Sequence, residues 1–279
     1  MLEVLSSGLY TTIQDLGRYG YRKFGVPVSG AMDSESAGLA NQLVGNTLDC
    51  AVLEITMLPP KLLFKAPTLI AIVGAKVSPS VNGNSIAINQ PVAISKNSEL
   101  HFGTLSKGTR VYLAAYGGFT TDKKLGSRSF YKPITSKDRL LKGDVVPYQP
   151  YQKDVEQQNK AAFFDRHVKE EVLKVYKGPE FMLLPREMQQ QLLDSTFTVN
   201  AQSNRMAILL DASCELSAKE IITSPVQPGT VQLTPSGKLI VLMRDAQTTG
   251  GYARVLQLSE KSINHLAQRC LREEVSFRL

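Results

Sequence analysis

The chain has little of what most standard chemistries require. Its three cysteines, Cys50, Cys214 and Cys270, are far apart in 279 residues, odd in number and at no CxxC spacing. Neither a disulfide framework nor a zinc site is expected, and the thiols read as ordinary core residues. The three histidines, His101, His167 and His265, are isolated in strand, linker and helix contexts, which speaks against a Ser-His-Asp triad. No apolar run exceeds a handful of residues, so no transmembrane helix is expected. Met1-Leu2-Glu3-Val4-Leu5 offers neither the basic leader nor the apolar stretch of a secretory signal, and the expected compartment is the cytoplasm. No GxGxxG follows a strand, and HExxH and GxSxG are missing. Dinucleotide binding, zincin and α/β-hydrolase chemistry therefore lack support. The run from Gly103 to Thr109 has the glycine spacing of a phosphate-binding loop, but Thr109 stands where a lysine must reach the phosphates. It is read as a turn before a strand.

Charge is present but dispersed in sequence. Thirty-two Lys and Arg against 25 Asp and Glu leave a net +7, with no block of five or six like charges and no aromatic-interleaved basic run. Nucleic-acid and membrane partners are not expected; a mild basic excess suits an anionic small molecule or an acidic protein. With 43% apolar and 20% charged residues, the chain is long enough for about two globular domains.

What is abundant is strand and turn grammar. Short β-branched segments such as Leu69 to Val73, Ser85 to Ile88 and Val92 to Ser95 alternate with Gly, Asn, Pro and Ser, and Asn82-Gly83 predicts a two-residue hairpin turn. Thr109 to Tyr116 predicts a strand ended by Gly117-Gly118, where backbone can approach a ligand closely. Asp33 predicts the cap of a helix with Ala37, Ala40, Leu43 and Val44 on one face, Asn41 on its polar face, and Gly45-Asn46 at its end. Between Gln149 and Lys174 the composition turns to Gln, Lys, Glu and Asp, which reads as a linker with a helical portion over Ala161 to Val168. The domains are accordingly placed at 1–165 and 166–279. Beyond the linker, strands are expected at Val172 to Val175, Thr196 to Val199, Met206 to Leu210, Thr230 to Leu233, Leu239 to Met243 and Ala253 to Leu258, with helices near Arg186 to Leu193 and from a Ser259 cap to Cys270. Without regular strand-helix alternation, the fold class is mainly β (α+β).

Polar residues cluster with glycines at three places. The first runs from Thr11 to Gly20 and on through Gly25 to Asp33; Asp15 and Arg18 either meet a ligand or pair with each other, and capping alone accounts for Asp33. The second, Met243 to Tyr252, follows an apolar strand. The third, Gln202 to Met206, offers Arg205 as a bidentate fork for a carboxylate or phosphate, or as half of a structural salt bridge.

The segments Gly8 to Gly20, Gly25 to Asp33, Ala40 to Asn46, Leu53 to Thr56, Ala115 to Phe119, Leu125 to Ser129 and Asp245 to Tyr252 together resemble the biotin-dependent carboxyltransferase family, which includes allophanate hydrolase subunit 2-like proteins. The chain departs from the family pattern at Ala207-Ile208 and at Met57 to Pro60. The resemblance implies two cyclophilin-like β-barrel domains. Within the family, a chain of this length is similar to the C subunits of bacterial 5-oxoprolinase complexes, also described as antagonists of a sporulation-kinase inhibitor. That implies the B and A subunits of such complexes as partners, ATP with Mg2+ shared by the complex, and opening of a small amide, 5-oxo-L-proline, to L-glutamate. It further implies catalytic roles for Asp15, Arg18 and Asp245. Substrate contacts would come from Gln14, Ser29, Asn41, Glu54, Gly117, Gly118, Arg128, Ser203, Arg205, Gln247, Thr248 and Tyr252, with no protein-held metal. The alternatives are carboxyl transfer to a urea-like amide from biotin carried on another protein, and a non-catalytic module that binds a kinase inhibitor.

Overall fold

The structure is a computed structural model that describes residues 1–151 and 171–279. The helix expected over Ala161 to Val168, and the boundary near 165, lie outside the described residues. Contacts divide the chain into two units, residues 1–18 with 29–165 and residues 19–28 with 166–279, so a short early excursion belongs with the second unit.

In the first unit the chain forms β1 (Leu2–Ser6), β2 (Tyr10–Gln14), α1 (Ser34–Leu43), β3 (Val52–Thr56), β4 (Lys61–Phe64), β5 (Thr68–Lys76), β6 (Ser80–Val81), β7 (Asn84–Ser85), β8 (Pro91–Ile94), β9 (Ser98–His101), β10 (Lys107–Ala115) and β11 (Val145–Val146). They build a six-stranded sheet, β11-β1-β4-β9-β6-β7, and a five-stranded sheet, β2-β3-β10-β5-β8. β5 reads as an almost unbroken apolar run because both of its faces are covered. Ile70 and Ile72 join Leu53, Ile55, Val111 and Leu113 in the core shared with the six-stranded sheet, where Leu2, Leu62 and Phe64 lie. The opposite face presents Leu69, Ala71, Val73 and Tyr112 to Ala37, Ala40 and Leu43 of α1. Each fully buried Leu, Ile, Val or Phe among them contributes roughly 1.5–3 kcal/mol of transfer free energy. Asp33 caps α1 as expected, accepting from the Ser36 amide at 3.0 Å. Asn82 and Gly83 both take positive φ, 50° and 82°, as the hairpin between β6 and β7 requires.

The second unit comprises β12 (Val172–Lys177), α2 (Arg186–Asp194), β13 (Thr196–Val199), β14 (Ala207–Ala212), β15 (Ser224–Pro225), β16 (Thr230–Leu233), β17 (Leu239–Leu242), β18 (Thr249–Gly250), β19 (Ala253–Leu258), α3 (Glu260–Ala267) and β20 (Glu274–Arg278). Seven of these strands close a barrel in the order β12-β19-β16-β17-β14-β13-β20. Parallel pairing of Val172 with Ser276 and Leu173 with Phe277 makes the closure, which removes the exposed edges of an open sheet. Inward-facing Leu173, Phe197, Leu210, Val231, Leu233, Leu239, Val241 and Val255 fill it. The mainly β reading therefore holds, with a barrel in the second unit and two sheets around one core in the first. α3 starts at its expected Ser259 cap but ends at Ala267 rather than Cys270. None of the three cysteines is in a disulfide with a described residue, and all are partly exposed, which corrects the expectation of core thiols. No helix among the described residues is long and apolar enough to cross a membrane.

Candidate functional site

In the first unit the glycine-rich segments are held by buried polar groups. The Asp15 carboxylate accepts from Gly17 N at 2.8 Å, Ser127 Oγ at 2.6 Å, Ser129 Oγ at 2.7 Å and Arg128 N at 2.6 Å. It clasps the loop after β2 to the 127–129 loop. Arg18, 1% exposed, donates to the Ser129 carbonyl. Gly30 lies against the same loop: a Cβ there would stand 3.0 Å from the Leu16 carbonyl, and its φ is 92°. Ser29 just before it is buried, with a φ of 58°. Glu54 and Tyr112, neighbours across β3 and β10, fix the next stretch. Glu54 Oε2 accepts from Met32 N at 2.7 Å and from the Tyr112 hydroxyl at 2.9 Å, and that hydroxyl accepts from Asp33 N at 2.8 Å. Burial, then the nearby Glu54 and Asp33 charges, push the Tyr112 phenol well above its ordinary pKa.

Asn41 is buried rather than on a solvated face, which corrects the sequence expectation. It donates to the Cys50 carbonyl at 2.7 Å and accepts from Asn46 at 3.0 Å. Asn46 in turn accepts from Gly117 N at 2.8 Å, so this chain of amides positions the Gly117-Gly118 turn. Both glycines take positive φ, and a Cβ on Gly118 would meet Cys50 Cβ at 3.0 Å. Gln14, Asp15, Ser34, Asn41 and Cys50 border a hollow of about 10 Å³, room for one water. Gln14 Oε1 is buried without a donor among the described residues, while its Nε2 donates to Thr12 Oγ1 at 3.0 Å.

In the second unit the geometry is more open. Outward positions of a solvated barrel are usually polar, yet Ala207 and Leu209 of β14 and Ile240 and Leu242 of β17 make an apolar floor outside the strands. Gln202, Asn204, Gln232, Gln247 and Tyr252 stand around it, with Met206, enclosing a groove of about 270 Å³. The surrounding loops are tied to each other. Arg205 Nε and Nη2 donate to Asp245 Oδ2 at 2.7 Å and Oδ1 at 3.1 Å, Asp245 N donates to the Arg205 carbonyl at 3.0 Å, and Met243 N to the Met206 carbonyl at 2.9 Å. Ser203 Oγ accepts from Leu209 N at 3.1 Å, and the Thr248 carbonyl accepts from Val226 N at 3.1 Å. Gln232 Nε2 donates to the Tyr252 carbonyl at 3.3 Å.

The second unit thus gathers Ser203, Arg205, Asp245, Gln247, Thr248 and Tyr252 around one groove, with Gln247 and Tyr252 facing it. Arg205 takes the structural-pair alternative. In the first unit Gln14, Asp15, Asn41 and Arg128 converge on the clasp and hollow, and Glu54 belongs to the network under the adjoining loop, whereas the buried Ser29 Oγ has no hydrogen-bond partner among the described residues. Sequence reasoning missed Gln232, Tyr112, Ser127 and Ser129, and singled out the segment holding Asn204 and Met206 without naming either as a site residue. The two serines lay inside a quoted motif, whereas Gln232 carried no signal beyond a polar residue in an apolar strand. No group of three His, Cys, Asp or Glu able to hold a metal occurs among the described residues.

The chain is similar to known proteins along most of its length. Residues 24–279 match the family model of the carboxyltransferase domain, subdomains A and B. The chain is 32% identical over 285 residues to the C subunit of 5-oxoprolinase from Escherichia coli K12, covering 99% of this chain and 90% of that protein. It is 45% identical over 130 residues to urea amidolyase of Lachancea kluyveri, covering 46% of this chain and 7% of that protein. Among solved structures, TTHA0988 superposes with a TM-score of 0.90 at 28% identity over all of this chain, which spans 56% of that one. Urea amidolyase of Kluyveromyces lactis superposes with a TM-score of 0.87 at 28% identity, over 99% of this chain and 18% of that one. With its match running from residue 24 to residue 279 and the 5-oxoprolinase C subunit aligned along nearly the whole chain, the protein belongs to the carboxyltransferase-domain family.

Proposed function

We propose that the chain is the C-type component of an ATP-dependent complex that opens 5-oxo-L-proline to L-glutamate, and that the barrel groove receives the small amide. The observation that carries this reading is the near-complete, colinear match to a 5-oxoprolinase C subunit, against less than half of the chain for the fungal urea amidolyases at the sequence level. A lactam carbonyl is a weak electrophile, and opening the ring adds one water across its C–N bond. Preorganised carboxamides that orient the ring are what such a step asks of a binding component. Gln232 and Gln247 supply donor and acceptor atoms around the floor of Leu209, Ile240 and Leu242.

ATP with Mg2+ fits this groove poorly. Its volume is below the roughly 300–1,000 Å³ of sites for drug-sized ligands, and its lining contains no cationic side chain for phosphates. The nucleotide is therefore assigned outside the groove, in a complex that includes the B and A subunits. Mixing the three purified proteins with 5-oxoproline and ATP is expected to release glutamate and ADP in equal amounts; folded proteins that release neither overturn the reading. Carboxyl transfer from biotin is the second reading, favoured by the 45% identity to a urea amidolyase segment. It predicts bicarbonate dependence and inhibition by avidin. A purely regulatory module predicts a stable heteromer without turnover.

A further inference from the structure

The excess positive charge, though it forms no long like-charge block, is uneven along the chain. Residues 120–144 hold seven Lys and Arg against three Asp and no Glu, more than half of the chain's net +7. Apart from an isolated bridge between Lys124 and Ser127, they form no regular secondary structure. Connections beyond about 12–15 residues without structure of their own are uncommon in compact domains and are usually functional.

This connection is nevertheless pinned along the outer edge of β2. Arg128 N bonds Asp15 Oδ2 at 2.6 Å, Phe130 N the Ile13 carbonyl at 2.9 Å, and Leu140 N the Thr11 carbonyl at 2.7 Å. Thr135 knots the middle, its Oγ1 accepting from Tyr131 N at 2.8 Å. From residue 15 to residue 11 is about 13 Å at roughly 3.3 Å per residue. That exceeds the Debye length of about 8 Å at physiological salt, so the charges reinforce one another mainly at lower ionic strength. Two of the three acids are taken up locally, Asp138 by Lys132 at 4.0 Å and Asp144 by Lys137. Lys124, Arg139 and Lys142 are exposed and in no ion pair with a described residue.

We propose that residues 120–144 are a docking surface for an acidic protein. Aliphatic side chains stand among the cations: Leu125 is 38% exposed and Leu141 52% exposed. An apolar anchor ringed by charge is the anatomy of a protein interface. Nucleic acid fits less well, because Phe130 packs into the core and is not available to stack on bases. Complementary acid groups on the partner would act mainly on association rate.

The choice of partner, the B subunit of the same complex, rests on the proposed function. Association of the full chain with the B subunit is followed by interferometry between 50 and 300 mM NaCl, comparing wild type with Lys124→Glu/Arg139→Glu/Lys142→Glu. A charge-matched control, Lys61→Glu/Lys219→Glu/Lys238→Glu, is measured alongside. The loop variant is expected to lose at least about tenfold in association rate and most of the salt dependence, with the control near wild type. Leu141→Ala is expected to raise the dissociation rate. Equal losses in loop variant and control, wild-type association by the loop variant, or no association at all overturn the proposal. So does binding of a 20-base-pair duplex that the loop variant alone abolishes while the B subunit still binds it normally. Glutamate release by the three-protein mixture is scored separately, so the docking surface can fail while the activity stands.

Discussion

Arg205 and Asp245 meet fork to fork, with contacts of 2.7 and 3.1 Å, and only 6% and 8% of each residue is exposed. Forty residues apart in sequence, they join the loops on either side of the groove, the one ending in Met206 and the one containing Gln247. A buried pair with its hydrogen bonds satisfied tolerates loss of both partners better than loss of one. Arg205→Ala is therefore expected to destabilise the protein by about 3–5 kcal/mol in urea unfolding, and Arg205→Met/Asp245→Leu to recover most of it. A loss for Arg205→Ala below about 1 kcal/mol would show that the fork holds nothing together.

Gly250 tests the groove from its back wall. A Cβ at this position would lie 2.6 Å from Gln232 Nε2, the far end of a side chain, and the backbone is not in the left-handed region. The strand can accept alanine while the amide cannot stay where it is. Gly250→Ala is expected to change stability by less than about 1 kcal/mol and to weaken calorimetric binding of 5-oxoproline about tenfold, the worth of one hydrogen bond. Gln247→Ala should act in the same direction. Unchanged affinity in both variants would move the substrate site elsewhere.

The strands of both units were legible because burial leaves an imprint on composition. Thr196 to Val199, Thr230 to Leu233 and Ala253 to Leu258 occupy the expected ranges, and Asp33 and Ser259 cap the helices that they announce. Sites fared differently. Local sequence cannot show which partner a polar side chain will choose from a hundred residues away: Asp15 accepts from Ser127 and Ser129, and Gln232 reaches the Tyr252 carbonyl. Asn41 looked solvated because a helix with alanines on one face leaves the opposite one for water. Here the Cys50 carbonyl and Asn46 lie on that face.

Tyr112 supplies an alkaline prediction. Its hydroxyl joins Glu54 and Asp33 N while fully buried, and burial raises its pKa well above the usual value near 10. The stabilising preference for the neutral phenol is complete below the unfolded-state pKa and is lost as pH rises through the higher folded-state pKa. Absorbance titration is expected to leave this tyrosine, one of ten in the chain, un-ionised until the protein unfolds. Tyr112→Phe, which removes the hydroxyl that accepts from Asp33 N and donates to Glu54, should cost about 1–3 kcal/mol. Ionisation of all ten tyrosines while the fold is intact would contradict this account.

Glu180 and Arg254 supply an acid-side prediction for the second unit. Arg254 Nη2 donates to Glu180 Oε1 at 2.7 Å, its Nε and backbone N to Oε2 at 2.9 Å, and its Nη1 to the Pro225 carbonyl at 3.1 Å. Hydrogen bonds from the Arg254 side chain outweigh burial and hold the Glu180 carboxyl below its ordinary pKa. A carboxyl depressed in the folded state adds stability that is full above the unfolded-state value, near 4.3, and disappears as pH falls through the folded-state value. Glu180→Gln is therefore expected to lower the urea midpoint at pH 7 and to flatten its decline between about pH 5 and pH 3. At pH 2 variant and wild type should converge. Parallel curves across that window would mean that another carboxylate governs acid unfolding.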